Sequence, residues 1–126
     1  MSMVKVMKID EWLEKKSIEK DAIIFKDQNW TFSHLKKLIT KTSLFLQNEC
    51  QLKVGDRFCY YVTNNPEQIV LLFAASKIGA IMFPINWRLA NPEIEYLIKH
   101  SNPNVIFFDT KFEDKMSQIY IPESIK

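Results

Sequence analysis

Three apolar runs without alternation constrain the fold of this chain most. They are RFCYYV at residues 57–62, AIMFPI at residues 80–85 and NVIFFD at residues 104–109. A strand with one exposed face alternates apolar and polar side chains, whereas a strand covered on both faces is apolar throughout. The runs therefore predict strands that are buried on both faces, as in a parallel sheet with helices on either side.

Helical segments separate these runs. Residues 66–78 end before Gly79, a residue suited to the left-handed position after a helix, and residues 93–100 follow an Asn-Pro pair that suits a helix start. Strand and helix thus alternate as in two successive βαβ units. This predicts an α/β fold with a partial doubly wound, mainly parallel sheet and flanking helices. A short helix at residues 111–117 and a short strand at residues 119–121 are expected to follow.

A smaller unit precedes the sheet. Residues 11–16 are predicted to form a helix capped by Asp10, and residues 22–32 form a hairpin of two short strands around a turn at residues 27–29. Apolar residues then recur three and four positions apart over residues 34–49, which predicts an amphipathic helix. The expected N-terminal part is therefore a small helix, a hairpin and one long helix.

Composition excludes several functional classes. The chain has 126 residues, of which 47% are hydrophobic and 25% charged, as in an ordinary globular domain. Its 17 basic and 15 acidic residues leave a net charge of +2, and the basic residues form no block, so no nucleic-acid partner is predicted. The longest apolar stretch, residues 69–75, is too short to span a membrane, and the N-terminus lacks the apolar segment of a signal peptide.

The cysteines and histidines do not predict a site. Cys50 and Cys59 stand in no CxxC or Cys/His pattern, which indicates reduced thiols and a cytoplasmic protein. His34 opens a predicted helix, and His100 closes one, where an imidazole meets the negative end of the helix dipole. No metal ligand and no catalytic residue is therefore predicted in this chain.

Glycine is scarce, and this excludes two kinds of nucleotide loop. The chain has only Gly55 and Gly79. Phosphate loops of the Walker or dinucleotide type need several glycines, because the backbone N–H groups must approach the phosphate closely. Neither loop can be formed by this sequence.

Asn86 and Arg88 are the candidate binding residues. They follow the strand predicted at residues 80–85, and open α/β sheets bind ligands at the carboxyl ends of their strands. The guanidinium of Arg88 offers five N–H donors in a fork that suits phosphate. Two interpretations are open on these grounds. Arg88 holds a phosphate, or it is a surface residue whose stem packs on Trp87 or whose donors bond a helix end.

Several short motifs occur in a fixed order between residues 22 and 109. They are Thr31-Phe32 with Leu35, Gly55-Asp56-Arg57, Asn65 with Glu67, Ala74-Ala75, Lys77-Ile78-Gly79-Ala80, Pro84-Ile85-Asn86 with Arg88-Leu89, Glu93-Ile94 and Tyr96-Leu97-Ile98. Each motif is weak alone, but their order and spacing together are specific. The stretch resembles the N-terminal region of the AMP-forming acyl-CoA synthetases, a family of ligases that form acyl-adenylates.

The resemblance implies an activity for the parent protein. Such a ligase activates a carboxylic acid, with a fatty acid expected here, by means of ATP and Mg²⁺, and passes the acyl group to coenzyme A. The family's phosphate loop, adenosine motif and lid lysine have no counterpart in this sequence. Residues 1–126 are therefore expected to be an incomplete N-terminal segment of the large domain, inactive alone. In some CoA-using relatives the arginine of the Asn-x-Arg-Leu motif contacts CoA phosphates, which implies that role for Arg88, with Asn86 supporting the turn.

Two interpretations of the whole chain stay open. The first is a silent N-terminal piece of a CoA ligase. The alternative is a stand-alone, non-catalytic α/β module that binds CoA or a complementing chain. An acyl acceptor other than CoA, a carrier protein, also stays open, although Arg88 favours CoA. Because the sheet of a complete ligase continues further, this segment is expected to expose a strand edge and apolar surface and to self-associate.

Overall fold

The fold combines a three-stranded sheet with a separate β hairpin and five helices in the described part of the chain. The computed structural model describes residues 9–14, 16 and 19–126. In chain order the elements are α1 (Ile9–Leu13), β1 (Asp21–Phe25), β2 (Gln28–Thr31), α2 (Phe32–Asn48), β3 (Arg57–Tyr61), α3 (Glu67–Ile78), β4 (Ile81–Pro84), α4 (Asn91–Ser101), β5 (Val105–Phe108) and α5 (Glu113–Ser117), with a 3₁₀ turn at Thr110–Phe112 before α5. The small N-terminal helix and the hairpin precede the sheet, as predicted.

β3 is the central strand of the sheet. The strand order is β4-β3-β5, and both neighbours run parallel to β3. Phe58 of β3 is aligned with Met82 of β4 and with Val105 of β5, so the carboxyl ends of all three strands lie at one edge. Parallel strands joined through α3 and α4 form the two predicted βαβ units. The mainly parallel sheet is confirmed.

Helices cover both faces of this sheet. Phe58 belongs to a core with α2 and α3, whereas Cys59 and Tyr61 belong to a second core with α4 and α5. Neighbouring residues of a strand point to opposite faces, so the two cores lie on the two sides of the sheet. Residues 58–61 are each at most 5% exposed. This double burial explains the continuous apolar run in β3 and confirms the partial doubly wound α/β fold.

Hydrogen bonds at the start of α3 join that helix to the sheet, and a left-handed glycine ends it. Asn65 Oδ1 accepts a hydrogen bond from the Tyr60 hydroxyl at 2.9 Å and another from the Gln68 N–H at 3.1 Å. The asparagine therefore joins the end of β3 to the first turn of α3. Burial raises the pKa of the Tyr60 hydroxyl, which keeps it protonated as a donor. The helix ends at Gly79, whose φ of 78° is the left-handed conformation predicted for it.

Several boundaries differ from the sequence-based expectation. α1 begins before Asp10, which therefore lies inside the helix instead of capping it. α4 begins earlier than predicted because the Glu93 carboxylate accepts the Ala90 N–H at 2.8 Å and fixes the first turn there. The hairpin turns at Lys26, with φ of 53°, ahead of the predicted turn. α2 begins at Phe32, before the predicted start at residue 34, and α1 ends at Leu13, before the predicted end at residue 16. None of these differences changes the order of elements.

The predicted strand at residues 119–121 is wrong. Ile119 is buried in the core formed with α4 and α5. The backbone N–H of Tyr120 donates to Glu95 Oε1 at 2.9 Å, so this segment bonds to a helix side chain and not to a strand. β-branched and aromatic residues favour any half-buried surface, and their pattern does not by itself establish backbone pairing.

The outer edge of β5 is only partly paired. The main chain of Lys126 donates to the Asn104 carbonyl at 3.0 Å and accepts from the Ile106 N–H at 2.8 Å. By the two-residue period of a strand, Phe108 faces the same edge as Ile106, and its backbone has no partner there within the described residues. β4 forms the opposite edge and pairs with no further strand in the described part of the chain. Both edges of the sheet therefore offer unpaired backbone groups.

We expect Gly79→Ala to destabilise the fold by about 1–2 kcal/mol, because an alanine pays a steric cost in the left-handed region. The new Cβ would also lie 3.1 Å from a methyl carbon of Val54. Gly55→Ala is the matched control, since Gly55 has φ of 86° and a Cβ there meets nothing within 4 Å. Urea denaturation should show a lower free energy of unfolding for both variants. If Gly79→Ala loses more than Gly55→Ala, adding Val54→Ala should remove the difference. A Gly79→Ala variant as stable as the wild type contradicts this account of the helix end.

Candidate functional site

A tight turn at residues 86–89 connects the end of β4 to α4. The Ile85 N–H donates to the Tyr60 carbonyl at 3.0 Å, which holds the start of the turn beside β3. Asn86 Oδ1 accepts the Arg88 N–H at 3.0 Å, and the Asn86 carbonyl accepts the Leu89 N–H at 3.2 Å. An asparagine that bonds its own backbone two residues on is a common turn device. The sequence thus places Arg88 on a short turn closed by Asn86.

Two side chains from other elements bind the carbonyls of this turn. The Tyr61 hydroxyl donates to the Trp87 carbonyl at 2.9 Å. Lys115 Nζ donates to the Leu89 carbonyl at 2.7 Å and to the Trp87 carbonyl at 3.5 Å. Tyr61 lies on β3 and Lys115 on α5, so the sheet and the second helical layer both hold the turn. The carbonyls on either side of Arg88 are therefore bonded.

An aromatic group supports the turn from the side of β5. The Trp87 ring is stacked near Phe112, with 6.3 Å between centroids and an interplanar angle of 28°. Phe112 in turn meets Tyr61 edge to face at 4.8 Å. Arg88 Cζ lies 5.0 Å from the centroid of the Trp87 ring, within the range of a cation–π contact. Trp87 thus contacts both Phe112 and the Arg88 head group, so the packing of Arg88 on Trp87, one of the two interpretations left open by the sequence, is present in the structure.

The Arg88 head group keeps its hydrogen-bonding capacity. Its side chain is exposed and makes no hydrogen bond or ion pair with any residue that the structure describes. Lys111 differs, because its Nζ donates to Thr63 Oγ1 at 2.6 Å and lies 4.0 Å from Asp109 Oδ2. A guanidinium stacked on an indole still presents the N–H groups of its edge. Arg88 therefore offers donors for an anion.

The site lies at the place where the strand order reverses. β4 lies on one side of β3 and β5 on the other, and the bond between Lys111 and Thr63 joins the segments that follow β5 and β3. Ligands of open α/β sheets bind in the crevice outside the carboxyl ends of the strands, at such a reversal. The turn with Arg88 contacts the segment that follows β5 through the Trp87–Phe112 pair.

The structure brings the two predicted residues together and adds others. Asn86 and Arg88 share one turn, and the first bonds the backbone of the second. Sequence reasoning missed Tyr61, Phe112 and Lys115. Ligand residues often follow a strand of an α/β sheet, and this rule was applied to β4. Applied to β5 as well, it would have drawn attention to the basic and aromatic residues that follow β5. A phosphate contact by Arg88 or Asn86 stays a prediction at this point.

Other candidate groups form no second site within the described residues. His34 packs against Trp30 with 5.3 Å between ring centroids, and His100 stacks on Tyr96 at 5.7 Å. Burial raises the pKa of Cys59, whose Sγ lies 3.6 Å from Ser101 Oγ. No grouping of three His, Cys, Asp or Glu side chains that could hold a metal ion occurs in the described part of the chain.

Comparison with known sequences identifies the family. A family model described as AMP-binding enzyme matches residues 9–124. The chain belongs to the AMP-binding enzyme family. The resemblance to AMP-forming acyl-CoA synthetases is thereby confirmed. Indoleacetate–CoA ligase of Aromatoleum aromaticum is 32% identical over 111 residues, which cover 84% of this chain and 21% of that protein. The chain thus spans only about a fifth of the length of this AMP-binding relative.

Solved structures support the same relationship. The N-terminal domain of FACL13 from Mycobacterium tuberculosis matches with a TM-score of 0.74 and 25% identity, covering 79% of this chain and 26% of that one. The N-terminal subdomain of NpsA from Klebsiella oxytoca, in complex with 3-hydroxybenzoyl-AMSN, matches with a TM-score of 0.77 and 21% identity, covering 93% and 28%. The second likeness concerns the fold alone. Among the helices that the structure describes, none is long and apolar enough to cross a membrane.

Proposed function

We propose that residues 1–126 are the N-terminal segment of the large domain of an ATP-dependent, AMP-forming carboxylic acid–CoA ligase. The parent ligase forms an acyl-adenylate and pyrophosphate, and coenzyme A then takes the acyl group. The family match over residues 9–124 and the similarity to a CoA ligase support this proposal. The segment contributes Arg88, which contacts a phosphate of coenzyme A.

The uncommitted guanidinium of Arg88 is the observation that carries the binding role. Arg88 lies on a turn at the carboxyl edge of the sheet. The carbonyls of Trp87 and Leu89 on either side of it accept hydrogen bonds, and the guanidinium donors have no partner among the described residues. A phosphate oxygen accepts two parallel N–H bonds from an arginine, and such charge-assisted bonds are the strong ones. Asn86 acts in the same site by closing the turn, and a direct contact of its amide with coenzyme A is part of the proposal.

ATP and Mg²⁺ are assigned to the remainder of the ligase. The described residues have no acidic cluster for a metal, and the chain's two glycines are 24 positions apart in the sequence, too far to belong to one glycine-rich loop. The charge and the planar donor fork of Arg88 suit a phosphate group. Coenzyme A is therefore the cofactor that this segment is proposed to contact. A carrier protein as acceptor is the competing version, and its phosphopantetheine arm lacks the nucleotide phosphates of coenzyme A.

The acyl substrate is proposed at two levels. A carboxylic acid is the general proposal, and a fatty acid is the narrower one that the sequence resemblance favours. The relative from Aromatoleum aromaticum is named for indoleacetate, an aromatic acid, so an arylacetic acid is the alternative to test beside fatty acids. The parent ligase is proposed to act in the cytoplasm.

We expect the 126-residue chain to bind coenzyme A weakly, with a Kd of about 1 mM, because it supplies one main phosphate contact. Arg88→Ala should weaken this binding by about tenfold or more, since a hydrogen bond to a charged group contributes about 1.5–3 kcal/mol. The measurement is an NMR titration with coenzyme A. Arg57→Ala is the matched control, because Arg57 is the chain's other arginine and stands at the amino end of β3.

The same titration separates the open interpretations. Micromolar affinity that depends on Arg88 favours the stand-alone binding module. Equal affinities of the wild type and Arg88→Ala would refute the proposed phosphate contact. An effect of Arg57→Ala as large as that of Arg88→Ala would show that only net charge matters.

We expect the chain alone to form no acyl-adenylate, because it lacks the family's phosphate loop. Pyrophosphate release from ATP and Mg²⁺ with a fatty acid or with indoleacetate should equal the release without enzyme. The control is the same assay with a complete CoA ligase under the same conditions. Acid-dependent pyrophosphate release by the purified chain would contradict the proposal that it is catalytically silent.

The unpaired sheet edges predict self-association in solution. Strand edges with free backbone groups pair readily with other chains. Phe108→Lys should lower the average mass measured by light scattering at high concentration, because a charge on the β5 edge opposes pairing. Tyr120→Lys is the control, since Tyr120 is 74% exposed and lies outside every described strand. A wild-type chain that stays monomeric across a wide concentration range would show that the edges do not associate.

A further inference from the structure

Lys115 reaches the turn at residues 86–89 from a separate helix. Its Nζ donates to the Leu89 carbonyl at 2.7 Å and to the Trp87 carbonyl at 3.5 Å, so one ammonium group bonds the residues on both sides of Arg88. The Trp87 carbonyl also accepts the Tyr61 hydroxyl at 2.9 Å. These bonds come from parts of the chain distant in sequence, and they restrain the backbone that carries the arginine.

The charge of Lys115 has no acidic partner within 4 Å among the described residues. The ion pair found among them joins Lys111 and Asp109. Lys115 is partly buried, and its Nζ lies 5.9 Å from the centroid of the Tyr61 ring. Uncharged carbonyls therefore satisfy its donors. A lysine bonded in this way acts as a bridge between α5 and the turn, because its three donors can serve several acceptors at once.

We propose that Lys115 is a positioning residue for Arg88. By fixing the Trp87 and Leu89 carbonyls it holds the backbone of Arg88 and the indole on which the guanidinium lies, 5.0 Å from the ring centroid. The inference rests on the proposed function, in which Arg88 contacts a phosphate of coenzyme A. A pre-positioned arginine loses less freedom when the phosphate binds, so loss of Lys115 weakens binding without removing a ligand group.

The first test needs no ligand. The chain contains two arginines, so the Nε–Hε region of a ¹⁵N spectrum has one signal from Arg88 and one from Arg57. Lys115→Met keeps the apolar stem and removes the donors. We expect the order parameters of the Arg88 backbone N–H and Nε–Hε to fall toward the flexible range, below about 0.6. The Arg57 signals should be unchanged, and unchanged Arg88 order parameters would overturn the proposal.

The second test separates positioning from charge. Lys115→Met should weaken coenzyme A binding by about three- to tenfold, the effect of losing one hydrogen-bonded restraint. Lys115→Gln is neutral but keeps N–H donors for the Leu89 carbonyl, and Lys115→Arg keeps donors and charge. Positioning predicts that Gln and Arg both restore most of the affinity. Equal losses for Met and Gln would show that the charge of Lys115 acts on the phosphate directly, which overturns the inference.

Two further measurements keep the result interpretable. Circular dichroism establishes that each variant is folded, and Tyr61→Phe removes the other hydrogen bond to the Trp87 carbonyl if Lys115→Met does not fold. Tyr61→Phe should lower the Arg88 order parameters less than Lys115→Met, because Lys115 still bonds the turn. If Arg88→Ala binds coenzyme A as well as the wild type, the proposed function fails, while the ligand-free order parameters still decide whether Lys115 fixes the turn.

Discussion

Burial of β3 on both faces is the constraint on which the rest of the structure depends. Residues 58–61 are enclosed by α2 and α3 on one side of the sheet and by α4 and α5 on the other, and both edges of the strand pair with parallel neighbours. Such a strand has little freedom to shift, because a slip of one residue would move every side chain to the opposite face. The carboxyl ends of β4 and β5 are therefore held beside the end of β3. Tyr61 is the last residue of that strand, and its hydroxyl restrains the turn by donating a hydrogen bond to the Trp87 carbonyl.

The site can be understood as a balance between bonded and free polar groups. Backbone carbonyls of the turn are occupied by Tyr61 and Lys115, and the charge of Lys111 is compensated by Asp109. Arg88 alone among these basic residues retains donors without a described partner. This arrangement provides a cation at the carboxyl edge of the sheet, the edge at which α/β sheets bind their ligands, and it requires no glycine-rich loop. The two scarce glycines serve turns and a helix end, with φ of 86° and 78°.

The amino-acid sequence predicted the sheet well because its strands are apolar throughout and its helices carry clear end signals. Gly79 and the residues before α3 allowed both ends of that helix to be predicted closely. The strand that precedes Arg88 allowed the position of the candidate site to be predicted. The remaining features depend on tertiary contacts. Residues 119–121 have a strand-like composition, yet the Glu95 carboxylate takes their backbone donor. Lys115 approaches the turn only after α5 has folded onto the second core, and no local pattern encodes that contact. The contact of Trp87 with Phe112 likewise depends on the folded chain, whereas the packing of Arg88 on Trp87 was one of the two interpretations open from the sequence.

We propose that Arg88 is positioned to contact a phosphate. The most direct measurement follows the two arginine Nε–Hε signals of the ¹⁵N-labelled chain while coenzyme A is added. Because the chain has one arginine at each end of the sheet, the experiment contains its own reference. The account predicts that the Arg88 signal moves in a saturable way and that the Arg57 signal stays in place. An Arg88 signal that does not move while other residues respond to coenzyme A would contradict the account.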